Sequence, residues 1–310
     1  VFRECSQLGE ELQSIGDTFL EGRTPARAGL LFDWNNWWAL ELASGPSKDM
    51  DYLKTVSLYY ETLYRQNIPV DILPYGADLS SYDLILAPML YMEKENAAER
   101  LREFVKKGGT LITTVMSGLA DENDRCVFGA YPGKLKEMLG IWVEETDALR
   151  PYEKNRMRLT DNLRLTEKEY DCGFLCDIIH PEGGAEALAS YKDDFYAGTP
   201  CVTRNFFGKG RAYYFGTQPE QRFLEELVSH ICNECGLQPL YPSSEGVELC
   251  LRVSDKAKTV FAINHNKTEA WVDFGPQKLT GLTDKKSLTG RIIIAPGDVL
   301  TAKIETENNA

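Results

Sequence analysis

Three kinds of residue in this 310-residue chain could do chemistry: a serine at a strand end, eight cysteines with three histidines, and scattered carboxylates. Ser117 stands in Val115-Met116-Ser117-Gly118-Leu119, just past an apolar run. Some doubly wound folds present an acyl-transfer nucleophile there. Such a site needs a histidine base, yet His180, His230 and His265 are distant in sequence and the flanking glycines of an elbow are absent. Cys232-x-x-Cys235 with His230, plus Cys172 and Cys176, has the atoms for zinc. However, Cys232 and Cys235 fall on a helix at i, i+3, which equally suits a buried face. Glycoside cleavage takes two carboxylates across a pocket. Asp33, Glu41, Asp121 and Glu122 are the candidates at the mouth of the sheet, with capping and solvation as their simpler role. Neither G-x-x-x-x-G-K-[ST] nor a strand-following G-x-G-x-x-G occurs, so no cofactor is expected.

The most unusual stretch is Asp33-Trp34-Asn35-Asn36-Trp37-Trp38, which holds three of the five tryptophans just past a strand. Open α/β sheets bind ligands at that edge, and tryptophan is a favoured interface anchor. Asp33, Trp34, Asn35, Trp37, Trp38, Ser117, Asp121 and Glu122 are therefore the candidate interface or pocket at the C-terminal edge of the sheet. An aromatic lid over that edge is the plainer alternative.

The elements that must position them follow from periodicity. Phe2, Cys5, Leu8, Leu12, Ile15 and Phe19 form one helical stripe over residues 1–20, which needs a partner. Apolar runs at 28–32, 69–73, 82–87 and 110–115 read as buried strands, alternating with helices at 49–66 and 94–107. Gly108-Gly109 caps the second helix. This alternation predicts βαβ units and a mostly parallel open sheet. Residues 121–180 read as irregular, with a short helix near 133–139 ending at Gly140. Strands follow at 187–191 and 201–204, then a hairpin turning at Phe207-Gly208-Lys209-Gly210. A helix over 219–235 closes the domain, and Tyr241-Pro242-Ser243-Ser244 is a linker. Short strands at 247–253, 259–264, 269–274, 287–289 and 300–304 predict a small sandwich.

Composition excludes some classes. Hydrophobic residues at 43% can build a sizeable core, which argues against a disordered chain. With 34 Lys and Arg against 47 Asp and Glu, the net charge is −13. That argues against nucleic acid and against an anionic membrane surface. The cysteines show no framework spacing, so reduced thiols in the cytoplasm are expected. The chain opens Val1-Phe2-Arg3-Glu4-Cys5, without Met and without a charged-then-apolar leader, so a processed or truncated product is expected.

One set of motifs is familiar. Residues 30–39 (Leu-Leu-Phe-Asp-Trp-Asn-Asn-Trp-Trp-Ala), Asn67-Ile68-Pro69-Val70-Asp71 and Asp83-Leu84-Ile85-Leu86-Ala87-Pro88 belong to it. So do Phe104-Val105-Lys106-Lys107-Gly108-Gly109-Thr110-Leu111, the loop at 117–124, Asp194-Phe195-Tyr196-Ala197-Gly198-Thr199-Pro200 and the turn at 208–214. Together they resemble the glycoside hydrolase family 42 β-galactosidases, over the whole chain. The resemblance implies a flavodoxin-like, class I glutamine-amidotransferase-like α/β domain that trimerises, over 26–238, with helices on both faces of its sheet. It implies a C-terminal β-sandwich over 239–310, and in 1–25 the last helix of a preceding (β/α)8 barrel. The family's acid/base and nucleophile glutamates sit in that barrel, so no catalytic residue is carried over, and the chain alone is expected to be inactive. The family's cysteine zinc cluster also belongs to the barrel and is not assigned to Cys232 and Cys235. The implied partner is the chain itself, as a homotrimer, with a galactoside reached only through the barrel of a retaining enzyme. Two other readings stay open: a stand-alone amidotransferase-like hydrolase using Ser117, and a carbohydrate-binding module stacking sugar on Trp34, Trp37 and Trp38.

Overall fold

An 18-residue helix, α1 (Phe2–Phe19), opens the chain. The computed structural model describes residues 1–43, 45–129 and 131–305, without the side chains of Ser14 and Asp17. The last five residues of the expected 239–310 segment lie outside the described residues. Contacts divide the chain into two units: Arg27–Leu63 with Val70–Leu237, and Val1–Ala26 with Tyr64–Pro69 and the residues from Gln238 onward.

The larger unit begins β1 (Ala28–Leu31), α2 (Trp34–Leu42), α3 (Tyr52–Tyr64), β2 (Val70–Leu73), β3 (Leu84–Ala87) and β4 (Met92–Glu93). It continues α4 (Ala97–Lys107), β5 (Thr110–Thr114), β6 (Ala120–Asp121), α5 (Lys136–Leu139), β7 (Ile141–Ala148), β8 (Asn155–Leu159) and β9 (Glu169–Pro181). It ends β10 (Glu186–Tyr191), β11 (Pro200–Phe207), β12 (Gly210–Phe215), β13 (Thr217–Pro219) and α6 (Gln221–Glu234). β1, β3 and β5 are buried at every position, which is why they read as unbroken apolar runs rather than alternations.

These strands build one 11-stranded sheet in the order β13-β9-β8-β10-β11-β12-β5-β3-β1-β2, with β7 paired to β9. The run β2-β1-β3-β5-β12 is parallel. The other six strands pair antiparallel, so the sheet is mixed rather than mostly parallel. Alternation sends Ile85, Ala87, Leu111, Ala212 and Tyr214 to one face, against Leu101, Phe104 and Val105 of α4 and Leu139 of α5. On the other face Phe215 meets Tyr59 of α3 and Phe223 of α6.

The segment expected to be irregular, 121–180, contains β7, β8 and the 13-residue β9. Its alternation is masked because the pairing slips. β7 and β9 change register between Val143 and Thr146, and β9 and β13 change it between Thr217 and Gln218. Phe174, at φ +67, breaks the extended backbone in mid-strand. Such bulges shift which residues face inward, so a two-residue period cannot be followed through them.

In the smaller unit, β14 (Val247–Val253), β15 (Lys258–Asn264), β16 (Ala270–Asp273), β17 (Leu279–Gly281), β18 (Ser287–Leu288), β19 (Arg291–Ile294) and β20 (Val299–Ile304) follow in turn. They form a five-stranded sheet, β14-β15-β20-β17-β18, and a pair, β16-β19, around Val260, Val272, Leu279, Ile294 and Ala302. β17 and β19 are short strands that periodicity did not reveal. Residues 64–69 are tied into this unit by Asn67. Its amide donates to Val247 O (2.9 Å) and Ser243 Oγ (3.1 Å) and accepts from Leu249 N–H (2.8 Å). Phe19 at the end of α1 meets Phe261 at 5.3 Å, whereas Leu8 and Leu12 of its apolar stripe are exposed.

Candidate functional site

The loops after β1, β3 and β5 meet at the C-terminal edge of the parallel strands. There Asp33 caps α2, its Oδ1 accepting from Asn36 N–H at 2.9 Å. Such a cap contributes about 1 kcal/mol. Its other oxygen meets Lys94 Nζ at 2.7 Å in a mostly buried pair. Asn36 is fully buried and works as a clamp. Its Nδ2 donates to Met89 O at 2.9 Å and its Oδ1 accepts from Met92 N–H at 3.0 Å, holding the chain after β3. Losing such a buried pair of bonds would leave two backbone groups unpaired, at about 1–3 kcal/mol each.

Ser117 is also fully buried. Its hydroxyl accepts from Leu90 N–H (3.0 Å), donates to Thr114 O (2.6 Å) and lies 2.9 Å from Thr113 Oγ1. Thr114 Oγ1 accepts from Met89 N–H at 2.8 Å. The crevice where open sheets bind ligands is thus filled by the side chains of its own three loops. A cavity of about 20 Å³ lies beside Thr114, Met89 and Phe174, enough for about one water, and a larger one of about 540 Å³ shares Thr55, Phe174 and Gln218 with it. Each histidine pairs with a glutamate elsewhere: His180 with Glu144, His230 with Glu234 and His265 with Glu248. The left-handed residues of the turn are Met116 (φ +66) and Gly118 (φ +73), not Ser117. A nucleophile elbow strains the nucleophile itself, and a methionine there has no proton to give up. Ser117, a candidate for the interface or pocket at this edge, is buried, with its hydroxyl bonded within its own loops.

Met116 N–H instead donates to Tyr131 Oη at 2.9 Å. Tyr131 leads to a group that sequence reading missed, Asp177 on β9. This carboxyl is fully buried and accepts hydrogen bonds from the hydroxyls of Thr146 (2.6 Å), Tyr214 (2.5 Å) and, at 3.5 Å, Tyr131. Burial outweighs those three donors and pushes its pKa up to about 7. An acidic residue inside the apolar run 174–179 was the available signal. For Asn36 the signal was an Asx residue three positions past a capping Asp.

The aromatic residues lie outside this knot. Phe32 stacks on Tyr52 at 5.6 Å and meets Trp34 edge-on at 5.4 Å. Trp37 is half-buried, with its Nε1–H donated to Glu41, while Trp34, Asn35 and Trp38 are exposed. Asp121 closes its own turn, accepting from Asn123 and Arg125 N–H at 2.9 and 3.0 Å. The Arg125 N–H, more than the others, holds its carboxyl below the usual range. Glu122 beside it is exposed. Asp33, Glu41 and Asp121 are thus each committed to their own neighbours rather than aligned across a pocket. Cys232 is buried on α6, where burial pushes its thiol up to about 12, and Cys235 bonds Thr110 Oγ1 at 3.3 Å. Among the described residues no three His, Cys, Asp or Glu groups are gathered to hold a metal.

The loops at this sheet edge are tied together by their own side chains, and Trp34 and Trp38 of α2 are exposed beside them. Comparison with known proteins gives the class of this α/β domain. The family model described as the β-galactosidase trimerisation domain matches residues 26–238. β-Galactosidase BgaA of Planococcus sp. (strain 'SOS Orange') is 42% identical over 305 residues, covering 98% of this chain and 45% of its own length. The crystal structure of β-galactosidase from Bacillus circulans sp. alkalophilus superposes with a TM-score of 0.94 at 43% identity, over 98% of this chain and 45% of that one. Gan42B, a GH42 β-galactosidase from G. stearothermophilus, gives 0.89 at 31% identity, over 97% and 43%. The chain belongs to the glycoside hydrolase family 42 β-galactosidases, residues 26–238 being their trimerisation domain, and it spans about 45% of the length of these relatives.

Proposed function

We propose that this chain is the self-assembly and accessory region of a family 42 β-galactosidase that hydrolyses terminal β-D-galactosides with retention. In this reading residues 26–238 join three copies, residues 1–25 are the last helix of a catalytic barrel, and 239–310 form the small sandwich domain. The acid/base and nucleophile carboxylates belong to the barrel, and galactoside is met only there. The carrying observation is the match of 26–238 to a trimerisation domain, together with a buried Ser117 whose hydroxyl is bonded within its own loops. The parallel strands run β2-β1-β3-β5-β12, the 2-1-3-4-5 order of flavodoxin-like sheets. That order supports an amidotransferase-like ancestry for the domain. The net charge of −13 disfavours nucleic acid and anionic membrane lipid as partners. No helix of the described residues is long and apolar enough to cross a membrane. We assign the chain to the cytoplasm, where its unpaired cysteines would stay reduced.

Sedimentation velocity of the chain up to about 100 μM tests the assembly. The expected species has three times the 35.0 kDa of the chain, with no turnover of a chromogenic β-galactoside. A monomer at every concentration, or turnover by the chain alone, would overturn the reading. The exposed Trp34 and Trp38 favour one competing reading, a sugar-binding module. It predicts a change in tryptophan fluorescence on titration with galactose, and an unchanged signal removes it.

A further inference from the structure

Trp34, Trp38 and Leu42 stand at i, i+4 and i+8 of α2 and so share one helical face. Their exposures are 57, 53 and 86%. Beneath them the framework is fixed. Trp34 packs on Trp37 at 5.3 Å and on Phe32 at 5.4 Å, and Trp38 lies 6.2 Å from Trp34. The helix itself is pinned by the Asp33–Lys94 pair and the buried Asn36 clamp. Indoles held this way lose little rotamer freedom on contact, and such side chains carry most of the energy of an interface.

Charge selects the same face. At −13, two copies repel each other over most of their surface. Residues 28–42 contain only two charged groups, and both are committed: Asp33 to Lys94, and Glu41 to the Trp37 indole. Two other exposed apolar side chains of this unit stand among charges, while Phe128 stands in an uncharged loop. Phe195 follows Asp193 and Asp194, and Phe206 lies under the Arg204 guanidinium at 4.9 Å.

We propose that the Trp34–Trp38–Leu42 face of α2 is a contact surface for a second copy of this chain. The proposal rests on the reading of 26–238 as a self-assembling domain. In a closed ring of three each contact is head-to-tail between two different patches. The α2 face therefore meets a surface of the next copy other than its α2. The test is sedimentation velocity on the full chain and on three variants. Trp34→Glu with Trp38→Glu is expected to sediment as a monomer, Leu42→Lys to weaken assembly by about tenfold or more, and Trp34→Phe with Trp38→Phe to stay trimeric. Near-UV circular dichroism reports whether the double glutamate variant keeps its fold, and if it does not, the highly exposed Leu42→Lys decides. A trimeric wild type whose Leu42→Lys and folded glutamate variants remain trimeric overturns the surface alone, as when α2 faces another part of a longer enzyme. A monomeric wild type overturns the self-assembly reading and the surface with it.

Discussion

Asp177 is a costly group to bury, because among the described residues its side-chain partners are three hydroxyls and no cation. Its pKa near 7 exceeds the ordinary 3.8, so between those values the folded chain holds a proton that the unfolded chain has released. Stability therefore falls as pH rises through that window, by on the order of 4 kcal/mol in total, and levels off above it. Asp177→Asn keeps the shape and removes the ionisation. It is expected to flatten the dependence of Tm on pH between about 5 and 8 and to raise Tm at the alkaline end; an unchanged slope would refute the assignment. Glu169 works in the opposite sense, its carboxylate held at about 2 by Lys192 and then Arg158, so the stability it contributes is present above the ordinary 4.5 and is lost as pH falls toward 2. The alternative roles for Ser117, nucleophile or loop hydroxyl, were both visible in sequence. Only its contacts to Leu90 and Thr114 separated them, because sequence does not say which loops converge.

Helices and strands were legible wherever one environment persists along the element. β1, β3 and β5 are buried on both faces, so their residue types need no alternation to be recognised. The β11–β12 hairpin was announced by Gly208, whose φ is +61 and whose place a Cβ could take only at 2.6 Å from Lys106 O. β7 and β9 were not legible, because bulges and the left-handed Phe174 reset the alternation in mid-strand. Residues 64–69 were equally opaque: they lie between α3 and β2 in sequence but are clamped to β14 through Asn67. Asn67→Ala is expected to lower the stability of the smaller unit by about 2–3 kcal/mol, since it strands Leu249 N–H and Val247 O. Residue-level hydrogen exchange should show the loss in β14 and β15 and leave β3 and β5 unchanged; equal loss in both units would refute the clamp.

The proposed assembly of three copies of a −13 chain would depend on the solvent. Added salt shortens the reach of repulsion from about 30 Å at 0.01 M to about 8 Å at 0.15 M. Trimer formation through an apolar, charge-poor face is thus expected to strengthen about tenfold over that range, read as a shift in sedimentation midpoint; weakening would mean that ion pairs hold the contact. Residue order alone conveyed the acidic balance, the apolar strands, the capping glycines and the motif series of the family, because each is set by neighbours a few positions apart. Burial is set by partners far along the chain: Leu90 for Ser117, 27 residues away, and Tyr214 for Asp177, 37 away. For that reason folding alone determined that the serine is sealed, that the aspartate is inside, and that two tryptophans of α2 are left facing out.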